Sequence, residues 1–161
     1  MNEMWLPVVR YMGLYEVSDL GRVRAERNGL IRKLYRDPDG YLRVGLSHDG
    51  RSETRGVHQL VLAAFVGPCP TGFVCRHLDG NPANNGLSNL GYGTRSENNV
   101  DAVEHGTNRN AAKTKCVNGH EFTPENTYVW THRDGRTMRQ CRKCDRDRKR
   151  ARRATAGETK I

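Results

Sequence analysis

The sequence predicts an α+β chain built from small antiparallel β elements and ending in a metal-stapled hairpin and helix. Three observations predict this. Residues 5–57 are interrupted by turn chemistry ("SDLG", "DPDG", "DG") between short alternating segments. Residues 73–105 read as strand, polar loop, strand and helix. Residues 116–144 hold two close pairs of metal-ligand residue types. Hydrophobic residues make up 35% of the 161-residue chain, which favours modest cores that a metal helps to hold.

Each element follows from its own residues. Tyr15 to Ala25 is a strand, a turn at Ser18-Asp19-Leu20-Gly21, and a second strand from Arg22. After the turn Asp37-Pro38-Asp39-Gly40, residues Tyr41, Arg43 and Gly45 alternate with Leu42, Val44 and Leu46. Arg51 to Val57 is a third strand, after Asp49-Gly50. His58 to Val66, "HQLVLAAFV", is almost wholly apolar and is stopped by Gly67-Pro68, as a short buried helix would be. Phe73 to His77 is a strand, and Leu90 to Gly93 returns beside it. Between them, "LDGNPANNGLSN" is too rich in Gly, Asn and Pro for regular structure and forms a compact loop. Thr94 and Glu97 make a capping box for a helix that runs to about His105, where Gly106 suits the C-terminal cap.

The expected organisation is a β-rich N-terminal element over 1–56, a strand–loop–strand–helix unit over 57–106, a linker over 107–115, and a cysteine-bearing module over 116–161. Cys69 and Cys75 are expected to be buried hydrophobes and Trp5 a core residue. His48 and His132 fall beside turns and are expected to be exposed. His58 lies near a helix start with no obvious partner.

The net charge of +9 is concentrated at one end. From Arg139 onward there are ten basic and three acidic residues, which leaves seventeen basic and fifteen acidic before it. Such a block either releases counterions from a polyanion, nucleic acid by default, or is a solvated tail that touches nothing. No apolar stretch approaches a signal h-region or a membrane span, so a cytoplasmic protein without a membrane partner is expected. Five cysteines without an export signal argue against a disulfide framework.

The strand–loop–strand–helix order brings three polar residues near one point: His77 at the exit of the first strand, Asn89 before the second, and Asn98 at the start of the helix. Phosphodiester hydrolysis has a use for each. A neutral imidazole takes a proton from water near pH 7. An amide oxygen suits a hard divalent ion that stabilises the departing oxygen. A second amide holds the loop and orients the histidine.

The segment "VCRHLDGNPANNGLSNLGYGTRSENN" resembles the HNH nuclease motif with its ββα-metal fold, in the variant of phage intron-encoded and free-standing homing endonucleases. The preceding "VHQLVLAAFVG" resembles the helix before that motif. "WLPV" and "YMGLYEVSDLGRVRA" resemble the nuclease-associated modular element that commonly precedes it. The resemblance implies that His77 is the general base, Asn89 the structural asparagine and Asn98 a ligand of catalytic Mg2+ or Mn2+. It departs at Arg76, where nicking relatives often carry an acidic metal ligand. An arginine only donates, so Asp79 is a further candidate ligand and Arg76 a candidate phosphate clamp.

Cys116-x3-His120 and Cys141-x2-Cys144 are two ligand pairs 20 residues apart, a set suited to tetrahedral structural Zn2+. "TYVW" and "TMRQC" flank Arg133-Asp134-Gly135-Arg136 as a hairpin, and Asp145 to Ala154 is expected as a helix. Knuckle, hairpin and helix together resemble a treble-clef zinc finger. Candidate DNA contacts are Arg22, Arg24, Arg32 and Lys33 upstream, and Arg142, Lys143, Arg146, Lys149, Arg150 and Arg153 in the basic segment. The basic residues after Cys144 spread around much of the helix, so only a subset can meet one groove.

The expected function is a metal-dependent DNA endonuclease acting on double-stranded DNA. A monomer is favoured, and the sequence leaves open nicking or double-strand cutting, and homing or phage DNA processing. The alternative from another class is a non-catalytic, zinc-containing DNA-binding protein on a degenerate nuclease scaffold. A structural RNA-binding module is disfavoured by the lack of an aromatic-rich sheet.

Overall fold

Short alternating segments between glycine turns fold as short strands. The computed structural model describes residues 2–133 and 137–157, which fall into two units divided between Thr107 and Asn108.

In the first unit, β1 (Trp5–Pro7), β2 (Tyr15–Ser18) and β3 (Val23–Ala25) form an antiparallel sheet in that order. The turn expected at Ser18–Gly21 closes through the Gly21 N–H on the Ser18 carbonyl, 3.0 Å, with Gly21 at φ 79°. A second antiparallel sheet has the order β4 (Tyr35–Arg36), β5 (Leu42–His48), β6 (Arg51–Gly56). Val44 and Leu46 on β5 are fully buried, on one face as a two-residue period requires. The very short β1 and β4 have no pattern of their own. They are edge strands defined by the neighbours they pair with.

The apolar run becomes α1 (Val57–Phe65), with Val57, Leu60, Val61 and Leu62 buried. Its core joins Val8, Tyr15, Val17 and Val23 of the first sheet, Val44 and Leu46 of the second, and Leu90. The N-terminal element and the segment after residue 57 therefore share one core. Burial of α1 is the hydrophobic term that holds both sheets to the following hairpin. In that hairpin, β7 (Phe73–His77) pairs antiparallel with β8 (Leu90–Thr94), setting His77 opposite Leu90 and Arg76 opposite Gly91. α2 (Arg95–Glu104) starts with both halves of the expected capping box, Thr94 and Glu97 each bonding the other's backbone N–H.

The second unit contains the hairpin β9 (Thr127–Thr131) and β10 (Thr137–Cys141), then α3 (Arg142–Gly157). Of the turn expected at Arg133–Arg136, residues 134–136 lie outside the described residues. α3 begins three residues before the expected Asp145, because the Arg142 N–H is taken up by the Asn126 carbonyl at 2.8 Å and the chain passes directly from strand to helix.

Two burial expectations are corrected. Cys69 is exposed, its thiol donating to the Phe73 carbonyl at 3.4 Å, because it follows the end of α1 in the Gly-Pro segment and not in an apolar stripe. Trp5 lies outside the core cluster. It sits on an edge strand, with the Arg24 guanidinium 4.2 Å and that of Arg22 5.6 Å from its ring, a cation–π arrangement.

Candidate active site

β7 hands successive side chains to opposite faces of its hairpin. Arg76 points to α2 and His77 points to Tyr41 and α1, and this alternation organises the site.

On the His77 face, the imidazole Nε2 lies 3.1 Å from Asn85 Oδ1. Asn85 is buried, 4% exposed, and its Nδ2 donates to the Ala83 carbonyl at 3.3 Å, which turns its oxygen toward His77. An amide oxygen accepts, so Nε2 carries the proton and Nδ1 keeps its lone pair, the form a general base requires. Asn85 is fixed in turn by the N-terminal sheet. A Cβ on Gly21 would fall 2.8 Å from Asn85 Cβ, so only glycine fits at this left-handed position. Nearby, the Leu87 N–H donates to the Asp19 carbonyl at 2.7 Å. The β2–β3 turn thereby braces the loop that holds His77.

Asn89 acts on the loop and not on the imidazole. Its Oδ1 accepts the Asp79 N–H at 3.0 Å, and its Nδ2 donates to Asp79 Oδ1 and to the Asn84 carbonyl, each at 2.9 Å. Asp79 is the other half of this clasp. It accepts from Asn84 Nδ2 and the Asn81 N–H, each at 2.8 Å. Those donors, the Asn84 amide foremost, draw its carboxyl down to about 2.

On the opposite face, Arg76 forks onto Asp101 of α2, with Nε 2.7 Å from Oδ2 and Nη2 2.9 Å from Oδ1. Glu97 Oε2 lies 3.7 Å from Nη1. Both members of the main pair are 18% exposed, and Arg76 holds the Asp101 carboxyl below the usual carboxylate range. Where the resemblance places an acidic metal ligand, this chain has an ion pair that ties helix to hairpin. Asn98 is exposed on the same helix. No hydrogen bond or ring contact joins it to His77 among the described residues.

Sequence reasoning missed Asn85, Tyr41 and His58. The ring of His77 lies 5.8 Å from that of Tyr41 and 5.2 Å from that of His58, and the latter two are 5.3 Å apart. Position in a polar loop gave no sign that Asn85 is buried. His58 looked like any residue of an apolar run.

The candidate DNA contacts upstream are mostly engaged. Arg22 pairs with Glu3, Arg24 with Glu16 at 2.6 Å, and Arg32 lies over the Tyr15 ring at 5.7 Å. Lys33 is exposed. In the second unit, Arg142, Lys143, Arg146, Lys149, Arg150 and Arg153 share an arc of about 120° on α3 at 100° per residue, while Arg148 and Arg152 fall on the other side. Lys149 pairs with Asp145 at 2.8 Å.

The predicted zinc ligands converge. Donor atoms of Cys116, His120, Cys141 and Cys144 lie within 4.8 Å of one another. Cys116 Sγ is 3.6 Å from both His120 Nδ1 and Cys144 Sγ, and His120 Nδ1 is 3.2 Å from Cys144 Sγ. A tetrahedron with bonds of about 2.3 Å has edges of about 3.8 Å, so the set fits zinc. The Cys144 N–H, with Asn126 and His120, lowers the Cys141 thiol to about 6. Asn118 Nδ2 donates to Cys144 at 3.2 Å, while burial and the neighbouring Cys116 and Cys141 sulfurs push the Cys144 thiol up.

Comparison with known proteins gives two domain matches: an HNH endonuclease model over residues 55–100 and a NUMOD4 motif over residues 3–47. The chain is 36% identical over 103 residues to DNA endonuclease I-HmuI of Bacillus phage SP01, covering 64% of this chain and 59% of that protein. It is 33% identical over 92 residues to an uncharacterised HNH endonuclease of Acanthamoeba polyphaga mimivirus, covering 57% of this chain and 28% of that one. It therefore spans less than two thirds of either curated relative. A solved structure of DNA binding and cleavage by the HNH homing endonuclease I-HmuI aligns with a TM-score of 0.61 at 28% identity, covering 90% of this chain and 82% of that one.

Proposed function

We propose, on the premise that this chain carries an HNH endonuclease domain behind a NUMOD4 motif and is homologous to the phage homing endonuclease I-HmuI, that it is a metal-dependent endonuclease of double-stranded DNA. Phage origin and a nicking or homing role follow the same relatives. The observation that carries the reading is the His77 imidazole, set by Asn85 with Nε2 protonated and Nδ1 free.

In this reading, His77 takes the proton of the attacking water at Nδ1. Asn85 holds the ring, and Asn89 with Asp79 holds the loop that carries it. Asn98 offers an exposed amide oxygen to Mg2+ or Mn2+, with water and DNA phosphate oxygens as the remaining donors. Such an ion, when bound, stabilises negative charge at the phosphoryl group and the departing oxygen. Lys33 and the basic arc of α3 bind backbone phosphates, and Zn2+ closes the second unit.

The Arg76–Asp101 pair favours a second reading, a DNA-binding protein whose metal site is lost. Supercoiled plasmid separates the two. With Mg2+ or Mn2+, the native chain is expected to convert it to nicked circle, while His77→Ala still binds but loses cleavage by at least about a hundredfold. Cleavage by the variant at the native rate would remove His77 from the chemistry. No cleavage by the native chain, with binding intact, would establish the second reading.

A further inference from the structure

Among the described residues, two buried side-chain polar atoms have no hydrogen-bond partner, and one is Nδ1 of His58. His58 is 8% exposed, in the first turn of α1. An unpaired nitrogen in such a place costs stability, and a leucine would fill the space without that cost. The surroundings explain the imidazole. Its ring is edge-on to that of His77, centroids 5.2 Å apart at 66°, and it also contacts Tyr41, which in turn contacts His77. The other side is closed by backbone: a Cβ on Gly56 would fall 2.8 Å from His58 Cε1. The missing side chain at Gly56 is what admits the imidazole, whose flat edge then meets the His77 ring.

We propose that His58 is a positioning residue for His77: with Tyr41 it forms an aromatic wall that keeps the base imidazole turned with Nε2 on Asn85 and Nδ1 toward the substrate. The inference rests on the nuclease reading. Edge-to-face packing fixes ring orientation beyond what burial alone does, and a misplaced base slows the chemical step without weakening binding. Burial, and then the neighbouring His77, push His58 down to about 4, so near neutral pH it adds no charge beside the base.

The test compares His58→Leu, which fills the space without a ring, with His58→Ala, which empties it. Nicking kinetics and 15N NMR of the His77 ring are read in the full chain. The wall predicts one His77 tautomer, protonated at Nε2, in the native protein and a mixture in both variants. It also predicts that kcat falls about tenfold to a hundredfold with KM within about twofold. Native kcat and a single tautomer in His58→Leu would reduce His58 to packing and overturn the proposal, as would native behaviour of His58→Ala. The NMR result stands without cleavage, so a chain that fails to nick refutes the nuclease reading but still decides the contact. If native protein cuts, His77→Ala does not, and both His58 variants match native, only the wall fails.

Discussion

A neutral imidazole buried at position 58 makes stability depend on pH. His58 is lowered from 6.5 to about 4, by burial first, then by His77 and Arg43, with Asp37 opposing. Its folded value lies below its unfolded one, so between these pH values the unfolded chain binds the extra proton. The contribution is complete above about pH 6.5 and is lost as pH falls toward 4, amounting to roughly 3 kcal/mol at about 1.4 kcal/mol per tenfold. Denaturant titrations over pH 4–7 are expected to show this slope in the native chain and a shallower one in His58→Leu. The same slope in both would place the titration elsewhere. Arg76 carries a second expectation. Its guanidinium engages Asp101, Asp79 is used in the loop clasp, and the exposed Asn98 has only a neutral amide to offer. Calorimetry of the DNA-free chain should therefore show Mg2+ binding no tighter than millimolar, and a micromolar site would contradict this donor assignment. Neither environment was legible in the sequence. Position 58 opens a largely apolar run and position 76 lies in a short strand, and only the folded chain shows that one meets another histidine and the other a carboxylate 25 residues on.

The elements were easier to read than their partners. β7, the start of β8 and the capping box of α2 follow from local chemistry, because turn residues and an N-cap act within a few positions. β1 and β4 escaped notice because an edge strand exists by pairing. The convergence of Cys116, His120, Cys141 and Cys144 was legible from spacing alone, since thiolate and imidazole pairs have few other uses in so short a segment. Among its described residues, the unit from Asn108 onward buries little besides Cys141, so it should depend on metal for folding. Bound zinc at one equivalent, measured by atomic absorption, is expected to vanish in Cys141→Ser. Chelation should broaden the amide NMR signals of this unit while those of residues 2–107 stay dispersed. Dispersed signals from both units after chelation would exclude a folding role for the metal.

For the whole molecule, charge is divided between the units. The first holds the candidate active site, and the second holds the whole excess positive charge, much of it on one arc of α3. Each phosphate contact contributes about 0.9 to the slope of log affinity against log salt. Replacing Arg146, Arg150 and Arg153 with glutamine should make that slope shallower by up to about 2.7, with the nicking rate at saturating DNA unchanged. An unchanged slope would leave α3 without phosphate contacts. The sequence by itself determined the α+β class, the order of the longer elements, the convergent Cys3His set and the segment that matches the HNH model, because these rest on turn chemistry, spacing and residue type within short windows. Only the tertiary structure decided that Asn85 and not Asn89 meets His77, that Arg76 belongs to Asp101, and that one core joins the N-terminal sheet to the hairpin. The physical reason is that a hydrogen bond or an edge-on ring contact depends on distances between segments far apart in the chain, which no local pattern encodes.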